Sequence, residues 1–361
     1  MKSTDISIRR VVKGQRAVVA SGWGMGYFPV VIRLKNGEVV AVVRGGAEHM
    51  GSGGRLDMVR SKDMGATWSK PATAFDTPTD DRNPALGQAG DGTLILGFII
   101  VSGYAKGYVP HKGTPDYKFY DYLMDVWIPA QSKSESYYIL SKDNGRTWTE
   151  RTPLDVPGYS VSPFGRIIGL DDGTLLMNVY GSKVGYSALP SYAFALRSTD
   201  NGRTWGEPSL IAKDMNETSF LNLGRGRVIA VLRSDEPEEA TYLCASADSG
   251  RTWDEPRRIT GALEHPADLA KLGDGRLLLV YGHRRFPYGV RGLISDDDGT
   301  TWNKDREIIF SDDAENQDCG YPSVLRLPNG QVLLLYYQLS SYLYPKLPAH
   351  CNAIRVNEKV L

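Results

Sequence analysis

Short apolar runs along the chain come in pairs, each pair split by a polar turn that contains Gly. The copies are VIRLKNGEVVAVV (31–43), ALGQAGDGTLILGF (85–98), IIGLDDGTLLMNV (167–179), SFLNLGRGRVIAVL (219–232), LAKLGDGRLLLVY (269–281) and VLRLPNGQVLLLYY (324–337). Two such runs around a Gly, Asn or Asp turn predict a β-hairpin. Their near-continuous apolar character predicts strands covered on both faces. Recurrence at a regular interval predicts a repeat architecture, in which neighbouring units bury one another.

A second motif runs out of phase with the first. SKDMGATW (61–68), SKDNGRTW (141–148), STDNGRTW (198–205), SADSGRTW (246–253) and SDDDGTTW (295–302) share the pattern S-x-D-x-G-x-T-W. Asp and Asn at such a tip bond the local backbone, and Gly supplies a positive φ. Trp packs a flat apolar face beneath. The octapeptide is therefore a folding staple, not a catalytic element. A hairpin plus a box-bearing strand pair makes four strands per repeat. Six such repeats predict an all-β, six-bladed β-propeller. The sixth repeat lacks a box. Residues 5–20 are expected to supply the outer strand of the blade that ends near 350–357, which leaves no open edge at the seam.

The turn glycines stand at 37, 92, 173, 226, 275 and 330, so successive gaps are 55, 81, 53, 49 and 55 residues. One repeat is oversized, and the excess falls at about 103–135. This insertion carries Tyr104, Tyr108, His111, Tyr117, Phe119, Tyr120, Tyr122 and Trp127. Long loops between short strands are commonly functional, and the aromatics predict a lid or wall over one mouth of the propeller. No linker divides residues 1–361, so one domain is expected.

Composition narrows the function. Lys plus Arg (42) equals Asp plus Glu (42), which gives no net field for nucleic acid or an anionic membrane. No apolar stretch is long enough to span a bilayer, and residues 1–20 show no apolar leader. The chain reads as soluble, either cytoplasmic or secreted with its leader absent from this sequence. Cys244, Cys319 and Cys351 match no disulfide framework or zinc motif. No metal cluster, phosphate-binding Gly loop or Ser-His-Asp motif appears, so no cofactor is expected.

Asp boxes on six hairpin repeats resemble the sialidase superfamily, the BNR-repeat proteins, over nearly the whole chain. The resemblance implies a propeller of sialidase type that acts as an exo-glycoside hydrolase on a terminal acidic sugar of a glycan. In that family three arginines grip the sugar carboxylate, a Tyr–Glu pair is the nucleophile and an Asp is the acid/base. Guanidinium forks match a carboxylate, and a neutral phenol avoids setting a bare anion beside it. The segment CGYPSVLRLPNG maps the nucleophile to Tyr321. NETSFLNLGRGRVIAVLRSD maps its base partner to Glu217 and a carboxylate-binding arginine to Arg233. GHRRFPYGVRGLISDDDGTTW offers Arg291 as the best-placed further arginine, with Arg284 and Arg285 as competitors.

The chain also departs from the family. Tyr27, Phe28 and Pro29 stand where the family has Arg-Ile-Pro, so the first arginine is missing. No Asp stands at the expected acid/base position in RGGAEHMGSGGRLDMVRS, where Asp57 lies inside the strand. Glu48 or His49 is the substitute, and His265 with Asp268 heads another hairpin. DDRNP (80–84) places Asp81 and Arg82 at a strand head, with Arg82 as a replacement arginine. Two other readings follow from these departures. One is a polysaccharide lyase or unusual glycosidase on a uronate- or rhamnose-containing glycan, using His49, His265 and Tyr321. The other is a non-catalytic carbohydrate-binding propeller.

Overall fold

A computed structural model describes residues 10–47, 49–51, 53–102, 133–185, 190–235, 239–339 and 349–361. Nearly all of these residues are strand or tight turn, in a propeller-like arrangement of five hydrogen-bonded sheets. One sheet runs Tyr27–Arg33, Val39–Gly45, Arg55–Ser61, Ala72–Phe75. Another runs Met215–Gly224, Arg227–Ser234, Thr241–Ser246, Arg257–Arg258. A third holds Glu264–Lys271, Leu277–His283, Tyr288–Ser295 and Ile308–Ala314, with Arg10–Val11 added in parallel at its edge. A fourth runs Cys319–Arg326, Gln331–Gln338, His350–Asn357 and then Gln15–Ser21 from the other end of the chain.

The remaining sheet corrects the expectation of six separate four-stranded units. Asp80–Gln88 leads one four-stranded meander and Tyr159–Gly169 leads the next, and the two leading strands pair in parallel, Ala85 with Gly165 and Leu86 with Arg166. The result is one eight-stranded sheet. The cause is local. Both strands bulge beside the contact, at Arg82/Ala85 and Phe164/Ile168, and a bulge bends its strand and re-aims the backbone. Gly87 permits the approach, because a Cβ there would lie 2.5 Å from the Ile167 carbonyl oxygen.

The leading strands touch in order, Tyr27–Arg33 to Asp80–Gln88 and onward, and Cys319–Arg326 touches Tyr27–Arg33 again. They line the centre. Apolar side chains fill the space between successive sheets. Ile32, Val40 and Val42 meet Leu86, Leu96 and Phe98, and Leu278 and Val280 meet Val324 and Leu334. This double-sided burial is what the continuous apolar runs require.

The octapeptides close as their chemistry demands. In the third copy, Ser198 Oγ donates to Asp200 Oδ1 at 2.7 Å and accepts from Gly202 N at 2.8 Å. Thr204 donates its amide and its hydroxyl to Asp200. Gly202 sits at φ 84°, and a Cβ there would meet Ile95 of the preceding repeat at 2.5 Å. The box thus fixes its own turn and docks it on the neighbouring repeat. Hydrogen bonds to the carboxylate hold the box acids Asp63 and Asp297 at about 2.

Residues 103–132, most of the aromatic insertion, lie outside the described residues. All three cysteines are free and buried. Among the described residues no helix is long and apolar enough to cross a membrane.

Candidate functional site

The heads of the leading strands build the site. Each carries a register shift, at Tyr27/Val30, Arg82/Ala85, Phe164/Ile168, Met215/Thr218, Glu264/Ala267 and Gly320/Ser323. In four of them the residue at the bulge precedes a proline, as Phe28-Pro29, Asn83-Pro84, His265-Pro266 and Tyr321-Pro322. Proline lacks the N–H that a ladder needs, which suits a bulge. Phe28, Asn83 and Tyr321 have φ of 51°, 54° and 47°. Left-handed backbone at bulky residues is costly and concentrates at functional sites.

Tyr321 is buried, and its Oη donates to Glu217 Oε1 at 2.5 Å. Arg233 Nη1 holds the other carboxylate oxygen at 3.1 Å and lies 3.4 Å from the phenol oxygen. Burial pushes the Tyr321 phenol well above its usual range, and the Glu217 charge adds to this. The phenol therefore keeps its proton beside a carboxylate placed to receive it. Arg284 stacks over the Tyr321 ring at 5.3 Å. The Phe28 ring packs on the same tyrosine at 4.8 Å and on His49 at 5.0 Å. Arg82 lies over Phe28 at 5.6 Å. Tyr321 also borders a small central cavity with Phe164, Ser219 and Asp268, crossed by the Arg166–Asp268 ion pair at 2.8 Å.

A second buried unit also packs on Phe28. His49 Nδ1 lies 2.9 Å from Asp318 Oδ1, and Tyr337 Oη donates to the same oxygen at 2.5 Å. Burial lowers the His49 pKa, and Asp318 offsets this only in part. Burial alone would raise Asp318, but His49, Tyr337 and Arg284 outweigh it and hold the carboxyl below its usual range.

The sequence matches the model of the BNR repeat-like domain over residues 82–334. The chain belongs to this BNR repeat-like family. No curated protein sequence matches it. Among solved structures, a protein of unknown function from Dyadobacter fermentans is 25% identical, with 95% of this chain and 98% of that chain covered and a TM-score of 0.75. The Hadza microbial sialidase Hz136 is 19% identical, with coverage of 94% and 67% and a TM-score of 0.69. The NanB sialidase of Streptococcus pneumoniae, as its K499G mutant, is 14% identical, with coverage of 96% and 71% and a TM-score of 0.68. The sialidases share the fold with this BNR repeat protein.

Several expected site residues of the BNR chain converge, and others do not. Tyr321, Glu217, Arg233, Arg284, Arg82 and His49 come together as described. Arg291 does not join them and is corrected. It is buried, and its guanidinium donates to the carbonyls of Ser311 and Pro287 and lies 3.8 Å from Glu307. Arg285 turns to Glu264. Asp81 is also corrected. It accepts from the Thr77 amide and hydroxyl at 2.6 and 2.9 Å, so it ties a turn, and burial lifts it to about 6. Alternation along the strand puts its neighbour Asp80 on the same face as Arg82; Asp80 binds Arg44 at 2.6 Å and lies 3.6 Å from Arg82. Asp57 pairs with Arg55. Asp268 is committed to Arg166 and the Val324 amide. His265 is fully buried, with Nε2 3.8 Å from Glu239. Glu48 lies outside the described residues.

Sequence reading missed Asp318, Glu239, Tyr180 and the Arg44–Asp80 pair. The residue-plus-proline step at four strand heads was the available signal for the bulges. Asp318, three residues before Tyr321, carried none. Asn83 Nδ2 donates to Tyr180 Oη and Ser162 Oγ, both at 3.0 Å. One group of metal-ligating types gathers among the described residues, with Glu264, His283 and Glu307 ligand atoms within 4.8 Å of one another. Arg285 is already on Glu264, and Tyr281 donates to Glu307 at 2.7 Å.

Proposed function

We propose that this BNR repeat protein is a six-bladed propeller, the eight-stranded sheet being two blades, and that it is an exo-acting glycoside hydrolase that works through Tyr321. The observation that carries this reading is the 2.5 Å hydrogen bond from Tyr321 to Glu217, with Arg233 on the second oxygen. Nucleophile, base and orienting group within hydrogen-bond reach are the signature of covalent catalysis.

In the first half of the reaction Tyr321 Oη bonds to the anomeric carbon while the bond to the leaving oxygen breaks. The phenol proton passes to Glu217 Oε1. The leaving oxygen takes a proton from His49, whose Nδ1 is anchored by Asp318 so that Nε2 is the transferring nitrogen. In the second half water attacks the anomeric carbon and gives its proton to His49, and Tyr321 recovers its own from Glu217. Arg233 keeps Glu217 oriented, and Arg284 offsets charge at the phenolic oxygen as it departs.

Of the arginines that the family would set on a sugar carboxylate, Arg233 and Arg284 lie beside Tyr321. Tyr27 and Phe28 stand in the place of the family's first arginine. The test is release of 4-methylumbelliferone from a panel of its glycosides, N-acetylneuraminic acid and neutral hexoses included. A fluorinated analogue that traps the intermediate is the second arm. Release by wild type, a fall on the order of 10³-fold in Tyr321→Phe, and a sugar adduct on the Tyr321 peptide by mass spectrometry are expected. Equal release by wild type and Tyr321→Phe would sink the reading.

A further inference from the structure

Arg233 faces two carboxylates. Besides Glu217, its Nη2 donates to Glu239 Oε1 at 2.5 Å. Glu239 sits just before the strand Thr241–Ser246, and its second oxygen lies 3.8 Å from Nε2 of His265. His265 is fully buried, and neither ring nitrogen makes a hydrogen bond among the described residues. Arg284 and Asp318 influence each other electrostatically, and Arg82 and Arg44 share Asp80. Arg233, Arg82 and Arg44 thus each have a carboxylate for a neighbour.

We propose that Glu239 sets the charge of the sugar this site accepts: it claims Arg233, and so reserves the place beside Tyr321 for a terminal sugar bearing an uncharged, hydroxyl-containing group where an acidic sugar carries its carboxylate. The inference rests on the glycosidase reading for the position of the sugar and goes beyond it in naming the sugar's class.

Two physical arguments support it. A substrate carboxylate at Arg233 would be a third anion around one guanidinium, and like charges brought together in a desolvated site reject a ligand strongly. The second argument is hydrogen-bond complementarity. Burial, with the Arg233 and Arg284 charges adding to it, drives the His265 pKa far down, so the ring is neutral. A neutral imidazole offers one donor and one acceptor. A hydroxyl can donate to Glu239 or to the imidazole and also accept from Arg233 or from the imidazole. A carboxylate can only accept, and it would leave the second oxygen of Glu239 and the imidazole acceptor unmet. A site that leaves buried polar groups unpaired discriminates against that ligand.

The experiment uses methyl α-N-acetylneuraminide and its analogue in which the C1 carboxylate is reduced to a hydroxymethyl group, which has no charge and carries a hydroxyl at that place. Both are titrated calorimetrically into the Tyr321→Phe protein, and into that protein with Glu239→Gln added, so that turnover plays no part. Glutamine keeps the shape of Glu239 and removes its charge. The alcohol is expected to bind about tenfold or more tightly than the acid when Glu239 is present, and Glu239→Gln is expected to move that ratio about tenfold or more toward the acid. Acid bound as well as the alcohol, an unchanged ratio in Glu239→Gln, or no binding of either sugar to either protein overturns the proposal. Failure of the glycosidase reading shows separately, as equal release by wild type and Tyr321→Phe in the fluorogenic panel.

Discussion

His49 and Asp318 are 269 residues apart in the chain, yet Nδ1 of the first lies 2.9 Å from Oδ1 of the second. The imidazole packs on Phe28, and so does the Tyr321 ring, so the proposed proton donor and the proposed nucleophile share one aromatic neighbour. To act as an acid, His49 must be an imidazolium, and its pKa lies below the usual 6.5. The activity profile should therefore fall with rising pH on a limb centred below pH 6.5. Asp318→Asn removes the anion that favours the imidazolium and should shift that limb to still lower pH. His49→Gln should cost on the order of 10²-fold on alkyl glycosides and much less on 4-methylumbelliferyl glycosides, whose leaving group needs little protonation. An equal loss on both substrates would remove His49 from the acid role.

Arg284 and Arg291 are seven residues apart and both buried, but they do different work. Arg284→Ala takes the cation from the face of Tyr321 and is expected to lower kcat about tenfold or more while the protein stays folded. Arg291→Met strands the carbonyls of Ser311 and Pro287, and the expected cost is about 3 kcal/mol of stability. Steady-state kinetics and urea unfolding on both variants separate the two effects. A fully active, stable Arg284→Ala protein, or an inactive but fully stable Arg291→Met protein, would reverse the assignment.

The repeat and the catalytic centre were legible in the sequence to different depths. Box and hairpin depend on neighbours within a few residues, so Ser198, Asp200, Gly202 and Thr204 announce their turn directly. The Tyr321–Glu217 contact joins two repeats, and only the family resemblance brought those segments together. Arg291 looked better placed than Arg284 because it stands closer to the Asp box that both precede. What separates them is their place: Arg284 stands just past Leu277–His283, whereas Arg291 lies inside Tyr288–Ser295 and turns to the carbonyls of Ser311 and Pro287. Asp80 and Asp81 share one strand and differ by the alternation of its side chains. Asp318 and Glu239 lie in connecting segments without periodicity, and no local rule marks them.

The Asp boxes should prove structural. Ser198→Ala removes one hydrogen bond to Asp200 and one from Gly202 N, both at a buried hydroxyl. The expected loss is about 1–2 kcal/mol, read as a lower urea midpoint with unchanged kcat. A change in kcat at full stability would contradict the staple role.

Stability should fall toward acid pH because of His265. Its folded pKa lies well below 6.5, owing to burial first and then to Arg233 and Arg284. Above the unfolded value both states are neutral and nothing is lost. As pH falls below about 6.5 the unfolded chain binds the proton and the native state does not, at up to about 1.4 kcal/mol per pH unit for one site. His49 adds to this slope in the same direction. Urea unfolding at pH 7 and pH 5 should show a smaller difference in His265→Gln than in wild type. Identical differences would mean that the imidazole is not buried in its neutral form.

Gln15–Ser21 pairs with His350–Asn357, so the last sheet is made from both ends of the chain. On the ribosome, Gln15–Ser21 emerges well before its partner, with the strands of all the other sheets made in between. Until then that strand has no ladder to join, and the apolar face of the first repeat is covered on one side only. Synthesis therefore delivers an open arc of sheets that becomes a ring only once His350–Asn357 has been made, and until then both rims of the arc need protection from chaperones or from one another.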